Sequence, residues 1–243
     1  MKENKYDQQH FFDQYSNMRR SQQGLDGAGE WHALKRMLPD FAGKRVLDLG
    51  CGFGWHCRYA MEHGADSVTG IDISEKMLER ARLINQLDGI EYVQQPIEEA
   101  VFPENSFDVV LSSLAFHYVA SFSDICSNVF HSLRPSGSFV FSVEHPVFTA
   151  SGKQDWIYDP SGKIQYWPVD RYFDESKRET IFLGEEVMKY HRTLTTYLNQ
   201  LLQQGFTIRE VTEPAPDTAM LNAFDGMKDE LRRPMMLLVS AVK

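Results

Sequence analysis

The sequence predicts an α/β domain built on a mostly parallel sheet with helices on both faces. Three observations lead there. Short apolar strands alternate with helix-period segments from residue 30 to residue 144. A glycine-rich turn, GCGFG at 50–54, separates the first strand from the helix that follows it. An acid, Asp72, ends the next strand roughly 20 residues farther on.

Each element has its own signal. EWHALKRML (30–38) places Trp31, Leu34 and Leu38 at helical spacing, and Pro39 stops it. KRVLDL (44–49) is the first strand, WHCRYAMEH (55–63) a helix, and DSVTGID (66–72) the second strand. Ser74 can cap a helix whose Met77, Leu78, Ala81 and Ile84 share a face. IEYVQ (90–94) and FDVVLS (107–112) are strands three and four. Ser123 can cap the next helix, with Asp124 in its first turn, and LRPSG (133–137) ends it. SFVFSVE (138–144) is strand five. Residues 147–185 mix aromatic side chains (Phe148, Trp156, Tyr158, Tyr166, Trp167, Tyr172 and Phe173 among them) with Gly, Pro and Asp, which reads as an insertion of short hairpins. A long helix over about 187–204 is expected next, then strand FTIREV (206–211). A proline-rich stretch (213–234) with a short helix and a final strand, PMMLLVSAV, close the chain.

A length of 243 residues and 42% hydrophobic content suit one domain with a sizeable core. The expected parts are an N-terminal lid (1–29), a cofactor-binding half (30–146), a substrate-lid insertion (147–185) and a C-terminal helix and strands (186–243). No apolar run approaches the ~20 residues of a membrane helix, no signal segment is seen, and three cysteines form no paired framework, so a cytoplasmic protein is expected. A formal net charge of −9 weighs against nucleic acid and against acidic partners such as acyl-carrier proteins.

Glycines at 50 and 52 let the backbone turn tightly and let a ligand approach it. A carboxylate at Asp72 can accept both ribose hydroxyls of a nucleoside cofactor. A nicotinamide dinucleotide and S-adenosyl-L-methionine both fit that pattern. The ordered set VLDLGCGFG, GIDISEKMLERAR, FPENSFDVVLSSLAFHYV and LRPSGSFVFS resembles the class I S-adenosylmethionine-dependent methyltransferases, in the small-molecule branch called methyltransferase type 11. The likeness is close over about 40–145. It implies a Rossmann-like sheet of seven strands with the last one antiparallel.

The resemblance also implies roles. Gly50, Cys51 and Gly52 would form the turn against the methionine part of the cofactor, with Asp48 beneath it. Asp72 would bind the ribose, Ile73 and Met77 would pack on the adenine, and the Ile97 backbone would read its edge. Ser112 would lie near the methionine amino group and His117 near the donor methyl, with Tyr15 and Arg20 folding over as a lid. Many relatives carry an Asp where this chain has Pro96, which leaves Glu98, Glu99, a backbone carbonyl or water for the adenine amino group.

Other residues admit plainer readings. Cys51, His56, Cys57 and His63 lack the short ligand spacing of a zinc site, so no metal is expected. His117 can simply end a turn, Met77 can be core, and the aromatic insertion can be a minor core, a pocket wall or a partner surface. Glu144 and His145 lie where strand five ends, the side on which open α/β sheets bind ligands. Neighbours in extended chain point opposite ways, so one of them faces the acceptor and the other holds the turn. His145 suits a general base near neutrality, and Glu144 can do the same or orient the acceptor. His191 and Arg192, at the expected start of the helix after the insertion, either return to this mouth or brace it.

The expectation is therefore methyl transfer from S-adenosyl-L-methionine to a small-molecule acceptor, leaving S-adenosyl-L-homocysteine. An RNA methyltransferase of the same fold, an NAD-binding oxidoreductase and a non-catalytic cofactor-binding regulator stand as alternatives. Oligomeric state, monomer or homodimer, is open.

Overall fold

The computed structural model describes residues 4–223 and 225–243, so the first three residues of the expected lid and Phe224 lie outside it. Three helices lead in: α1 (Gln9–Ser16), α2 (Arg19–Gln22) and α3 (Trp31–Met37). Then β1 (Arg45–Leu49), α4 (Trp55–Glu62), β2 (Ser67–Asp72), α5 (Glu75–Asn85), β3 (Ile90–Gln94), β4 (Phe107–Ser113), α6 (Phe122–Ser132) and β5 (Leu133–Glu144) alternate. After a short α7 (Pro146–Thr149) come two hairpins, β6 (Ile157–Tyr158) with β7 (Ile164–Tyr166) and β8 (Lys177–Phe182) with β9 (Glu185–Tyr190). The chain ends with α8 (Leu194–Gln204), β10 (Thr207–Thr212), α9 (Thr218–Ala223) and β11 (Met236–Val242).

The main sheet has seven strands in the order β10-β11-β5-β4-β1-β2-β3. β11 runs antiparallel to both of its neighbours, and the other adjacent pairs are parallel. Alternate side chains of the buried strands feed two cores. Leu47, Leu49, Val110, Phe139 and Phe141 pack with Ile125, Val129 and Leu201 of α6 and α8 on one face. Val46, Val68, Val109, Leu111 and Val140 pack with Leu34, Cys57 and Leu78 of α3, α4 and α5 on the other. Two-sided burial explains why these strands read as nearly continuous apolar runs.

Three local expectations are corrected. Ser121, not Ser123, caps α6, its side chain accepting the Asp124 N–H. LRPSG does not end that helix in a loop. It opens β5, which starts at Leu133, with Ser136 in the left-handed region (φ 65°) and its N–H on the Lys243 carbonyl. The expected helix over 187–204 is a strand followed by a helix. In β9, Val187 and Lys189 are buried at strand spacing, and α8 starts only after Thr193 accepts the Thr196 N–H as its cap. His191 and Arg192 therefore sit in the connection and not on the helix.

Candidate active site

The crevice lies at the carboxyl ends of β1, β2, β4 and β5. Gly50 has φ 78° and Gly52 φ 54°, both left-handed. A Cβ on Gly50 would come within 2.6 Å of the Ala115 Cβ and 3.3 Å of Ile97 Cδ1. The turn thus runs against the loop after β4 and the Ile97 turn. A Cβ on Gly52 would meet nothing nearer than the Tyr15 hydroxyl at 3.9 Å. That side of the turn faces the crevice. Beyond β4, Leu114 has φ 53°, a strained conformation for a bulky residue, and its N–H bonds the Ser142 carbonyl at 2.9 Å. The strain brings Ala115 onto Gly50.

Asp72 holds the turn. Its Oδ2 accepts the Gly52 N–H and its Oδ1 the Ser74 N–H, both at 2.9 Å. Burial pushes its carboxyl up to about 6. Two backbone bonds leave lone pairs on both oxygens for hydroxyl donors. Asp48 is buried under the turn beside Cys57, whose Sγ lies 3.4 Å from Oδ2, and burial pushes Asp48 up to about 7. Cys51 is buried with its N–H on the Ile71 carbonyl.

The N-terminal segment crosses this crevice. Asn4 donates to the Ile73 carbonyl, and Asp7 Oδ1 accepts from Ser74 Oγ (2.6 Å) and the Lys76 N–H (3.2 Å). Tyr6 packs edge-on to Tyr15 and Tyr118. Met77 is fully buried on α5. Arg20 donates to Glu30 Oε1 (3.0 Å) and Ser113 Oγ (3.3 Å). Burial would raise the Glu30 carboxyl, but the Arg20 guanidinium holds it below its ordinary range. Ser112, expected at the methionine amino group, donates its hydroxyl to the Leu49 carbonyl at 2.8 Å inside the sheet. On β4 the hydroxyl that lines the crevice is that of Ser113, with Tyr15 and Ser21 of the N-terminal segment beside it.

The structure separates Glu144 from His145. Glu144 Oε1 takes Lys189 Nζ at 2.6 Å, and its Oε2 takes Gln154 Nε2 at 2.8 Å. His117 Nδ1 accepts the Glu144 N–H at 3.4 Å, and its Nε2 lies 4.0 Å from Oε1. Burial drives the His117 imidazole down to about 4, so it is neutral near pH 7. Burial alone would raise Glu144; His117, Lys189 and Gln154 hold it low. The Lys189 ammonium also lies over the Phe182 and Tyr118 rings, at 5.3 and 5.9 Å. Gln154 reaches this cluster with φ 48°, another strained backbone. Its Oε1 accepts from both Lys189 and Thr180.

His145 turns the other way. Its Nδ1 caps α7 by accepting the Val147 N–H at 3.0 Å, and its Nε2 lies 2.7 Å from Glu213 Oε1, off the hydrogen-bonding line. Burial lowers its pKa, opposed by Glu213. His191 and Arg192 brace the mouth. His191 Nε2 donates to the Tyr172 carbonyl (2.9 Å), so Nδ1 accepts from Thr149 Oγ1 (2.7 Å). Arg192 donates to the carbonyls of Phe116, Val119 and Ala120, the turn that carries His117. Inside the insertion, Phe148 stacks on Trp167 and the Arg233 guanidinium lies 4.1 Å from the Trp167 ring centre. Phe148, Trp156 and Trp167 thus form a small cluster with Arg233, while Tyr158, Tyr166 and Phe173 are exposed.

Lys189, Gln154, Glu30 and Ser113 escape the sequence reading. Lys189 carries no local sequence signal, because its burial beside Val187 at strand spacing is set by the fold.

The sequence profile described as a methyltransferase domain matches residues 47–141. A crystal structure of an S-adenosylmethionine dependent methyltransferase from Mesorhizobium loti is 48% identical, with a TM-score of 0.84 over 90% of this chain and 100% of that one. A structure from Listeria monocytogenes is 59% identical, with a TM-score of 0.86 over 90% of this chain and 99% of that one. Narrower matches cover about half or less of their relatives. The malonyl-[acyl-carrier protein] O-methyltransferase of Enterobacter lignolyticus is 38% identical over 64% of this chain and 55% of that one. The tRNA U34 carboxymethyltransferase of Idiomarina loihiensis is 34% identical over 46% of this chain and 36% of that one. Near full-length relatives thus cover this chain almost end to end, and the chain belongs to the S-adenosylmethionine-dependent methyltransferases.

Proposed function

We propose that this methyltransferase acts on a small-molecule acceptor bound against Glu144 and His117, beneath the insertion. The observation that carries this reading is the polar cluster at the end of β5. A carboxylate from β5, an imidazole from the loop after β4, an amide from the insertion and an ammonium from β9 meet there. Ligands of open α/β sheets bind at this end of the strands.

When bound, S-adenosylmethionine supplies a methyl group already activated by its positive sulfur. The protein's own work is then alignment and exclusion of water. Gly50, Gly52 and Asp72 hold the cofactor side. Tyr6, Tyr15 and Arg20 close over it. Glu144 is kept ionised and aimed by Lys189 and Gln154, so it can accept a hydrogen bond or a proton from the acceptor. His117, neutral, offers its Nε2–H on the same side. His145 holds the turn. A cytoplasmic setting is part of the same reading, supported by three free cysteines and by the absence, among the described residues, of any helix long and apolar enough to cross a membrane.

Calorimetry with S-adenosylhomocysteine should show binding. Transfer of labelled methyl to a metabolite panel should then identify an acceptor, and Glu144→Gln should slow turnover at least tenfold with cofactor affinity unchanged. Turnover untouched in Glu144→Gln would remove Glu144 from the acceptor site. The tRNA-acting relative supports a second reading, an RNA acceptor, against which the net charge of −9 weighs. Labelling of bulk tRNA with no labelled metabolite would establish it.

A further inference from the structure

We infer that the accepting atom is a nitrogen, the neutral lone pair of an amine whose N–H is held by Glu144. The inference deepens the small-molecule reading of this crevice and rests on it.

The groups that meet at the end of β5 are placed to hold an acceptor, and none of them is free to take a proton from it. Glu144 Oε1 carries the Lys189 ammonium at 2.6 Å, and Oε2 the Gln154 amide at 2.8 Å. A proton on that carboxylate would leave unpaired an ammonium whose side chain is 2% exposed, which is strongly destabilising. His117 accepts the Glu144 N–H at Nδ1, so its neutral ring carries the proton on Nε2 and offers a donor only. Burial drives that imidazole down to about 4; Glu144 opposes the shift, and Lys189 and Arg192 add to it. The Tyr118 ring lies beside His117, and the Tyr6 and Tyr118 hydroxyls are 3.5 Å apart. Burial raises both phenols, so they stay protonated. His145 is turned toward Glu213.

An acceptor here must therefore attack without first giving a proton to the protein. Hydroxyls, thiols and carbon acids need that loss, and a neutral amine does not. A carboxylate needs no base either, but it would face the ionised Glu144, and like charges so close disfavour each other. An amine suits the partners present. Each Glu144 oxygen keeps a lone pair for an N–H after its bond to Lys189 or Gln154. The amine sheds its proton to water before it binds. As the N–CH3 bond forms, the S–CH3 bond breaks and its electron pair stays on sulfur. The positive charge passes from sulfur to nitrogen, and no proton moves in that step. The new cation arises beside an ionised carboxylate and the rings of Tyr118 and Phe182, over which the Lys189 ammonium already lies at 5.9 and 5.3 Å. Lys189, which repels a second cation, then favours release of the methylammonium product.

The test uses S-adenosylmethionine with heavy-carbon label in its methyl group. It is mixed with the full chain and either a deproteinised bacterial metabolite extract, freed of nucleic acid, or bulk tRNA. Carbon–proton correlation spectra tell N–CH3 from O–, S– and C–CH3 by chemical shift. A new N–CH3 signal from the extract is expected, and Glu144→Gln should form it at least tenfold more slowly. An O–, S– or C–CH3 product overturns the nitrogen and leaves the small-molecule reading standing. Transfer to tRNA alone overturns that reading, and transfer to neither overturns both. Independently of turnover, nitrogen NMR of the His117 ring, assigned against His117→Asn, should show a neutral ring with its proton on Nε2 at neutral pH. A ring that titrates near neutrality, or that carries its proton on Nδ1, would place a base in the crevice and overturn the inference.

Discussion

The ammonium of Lys189 lies 2.6 Å from Glu144 Oε1, with the lysine side chain 2% exposed and the glutamate 16%. Lys189 stands on β9 of the second hairpin and Glu144 at the end of a central strand, 45 residues apart. Removing one partner strands a charge inside the protein. Lys189→Met should therefore destabilise the fold by about 3–5 kcal/mol. The double change Glu144→Gln with Lys189→Met should recover most of that loss. Urea denaturation of the three proteins measures the pair directly. A double variant as unstable as Lys189→Met alone would show that packing, and not charge, is what Lys189 supplies.

Asp48 gives a pH dependence with a defined sign. Burial raises its carboxyl from an ordinary 3.8 to about 7. Between those values the folded state keeps the proton and the unfolded chain has lost it. The stability this group contributes is full below about pH 4 and falls as pH rises through 7. Asp48→Asn keeps the shape and an acceptor for the Cys57 thiol while removing the ionisation. Its Tm relative to wild type should climb from pH 4 to pH 7 and then level off. Asp72 is raised by burial too and is present in both proteins; its charge adds to the upward shift of Asp48, so the difference reports Asp48 ionising beside it. A constant Tm difference across the range would mean that Asp48 ionises normally.

How much of this was legible in the sequence follows from range. The glycine turn, Asp72 and the alternating strands are local patterns, and they lie as expected because neighbouring residues determine them. The helix expected at 187–204 failed because a buried lysine looks like a solvated face in sequence; Glu144, brought from β5, and Gln154 make its burial tolerable. Glu144 and His145 were legible as a place but not as roles. Strand alternation said that they diverge, and the partners that decide which one meets the crevice lie 27, 45 and 68 residues away, at His117, Lys189 and Glu213. Ser112 and Ser113 pose the same problem one strand over, where a Leu114 in the left-handed region could not be foreseen.

Two glycines of the same turn should respond differently to alanine. A Cβ on Gly54 would fall 2.2 Å from the Tyr92 hydroxyl, which itself donates to the Asn85 carbonyl. Gly54→Ala should therefore lower Tm strongly, with Tyr92→Phe restoring part of the loss. Gly52→Ala meets no such contact, so its folding cost is limited to the strained φ, about 1–2 kcal/mol. The added methyl instead occupies the face turned to the crevice and should weaken S-adenosylhomocysteine by tenfold or more. Paired melting and calorimetry separate the two effects. A Gly52→Ala protein that binds as wild type does would move the cofactor off this face of the turn.

His145 separates a capping role from a chemical one. Its Nδ1 accepts the Val147 N–H at the start of α7, and asparagine is among the side chains best suited to that position. His145→Ala should lose about 1 kcal/mol, and His145→Asn should recover most of it. Both variants lose the contact with Glu213, so the difference between them reports the cap alone. With an acceptor in hand, both should keep turnover within a few-fold of wild type, because the imidazole points toward Glu213 and away from the Glu144 cluster. A His145→Asn enzyme that melts like wild type yet no longer transfers methyl would return the imidazole to the chemistry and leave Glu144 as its support.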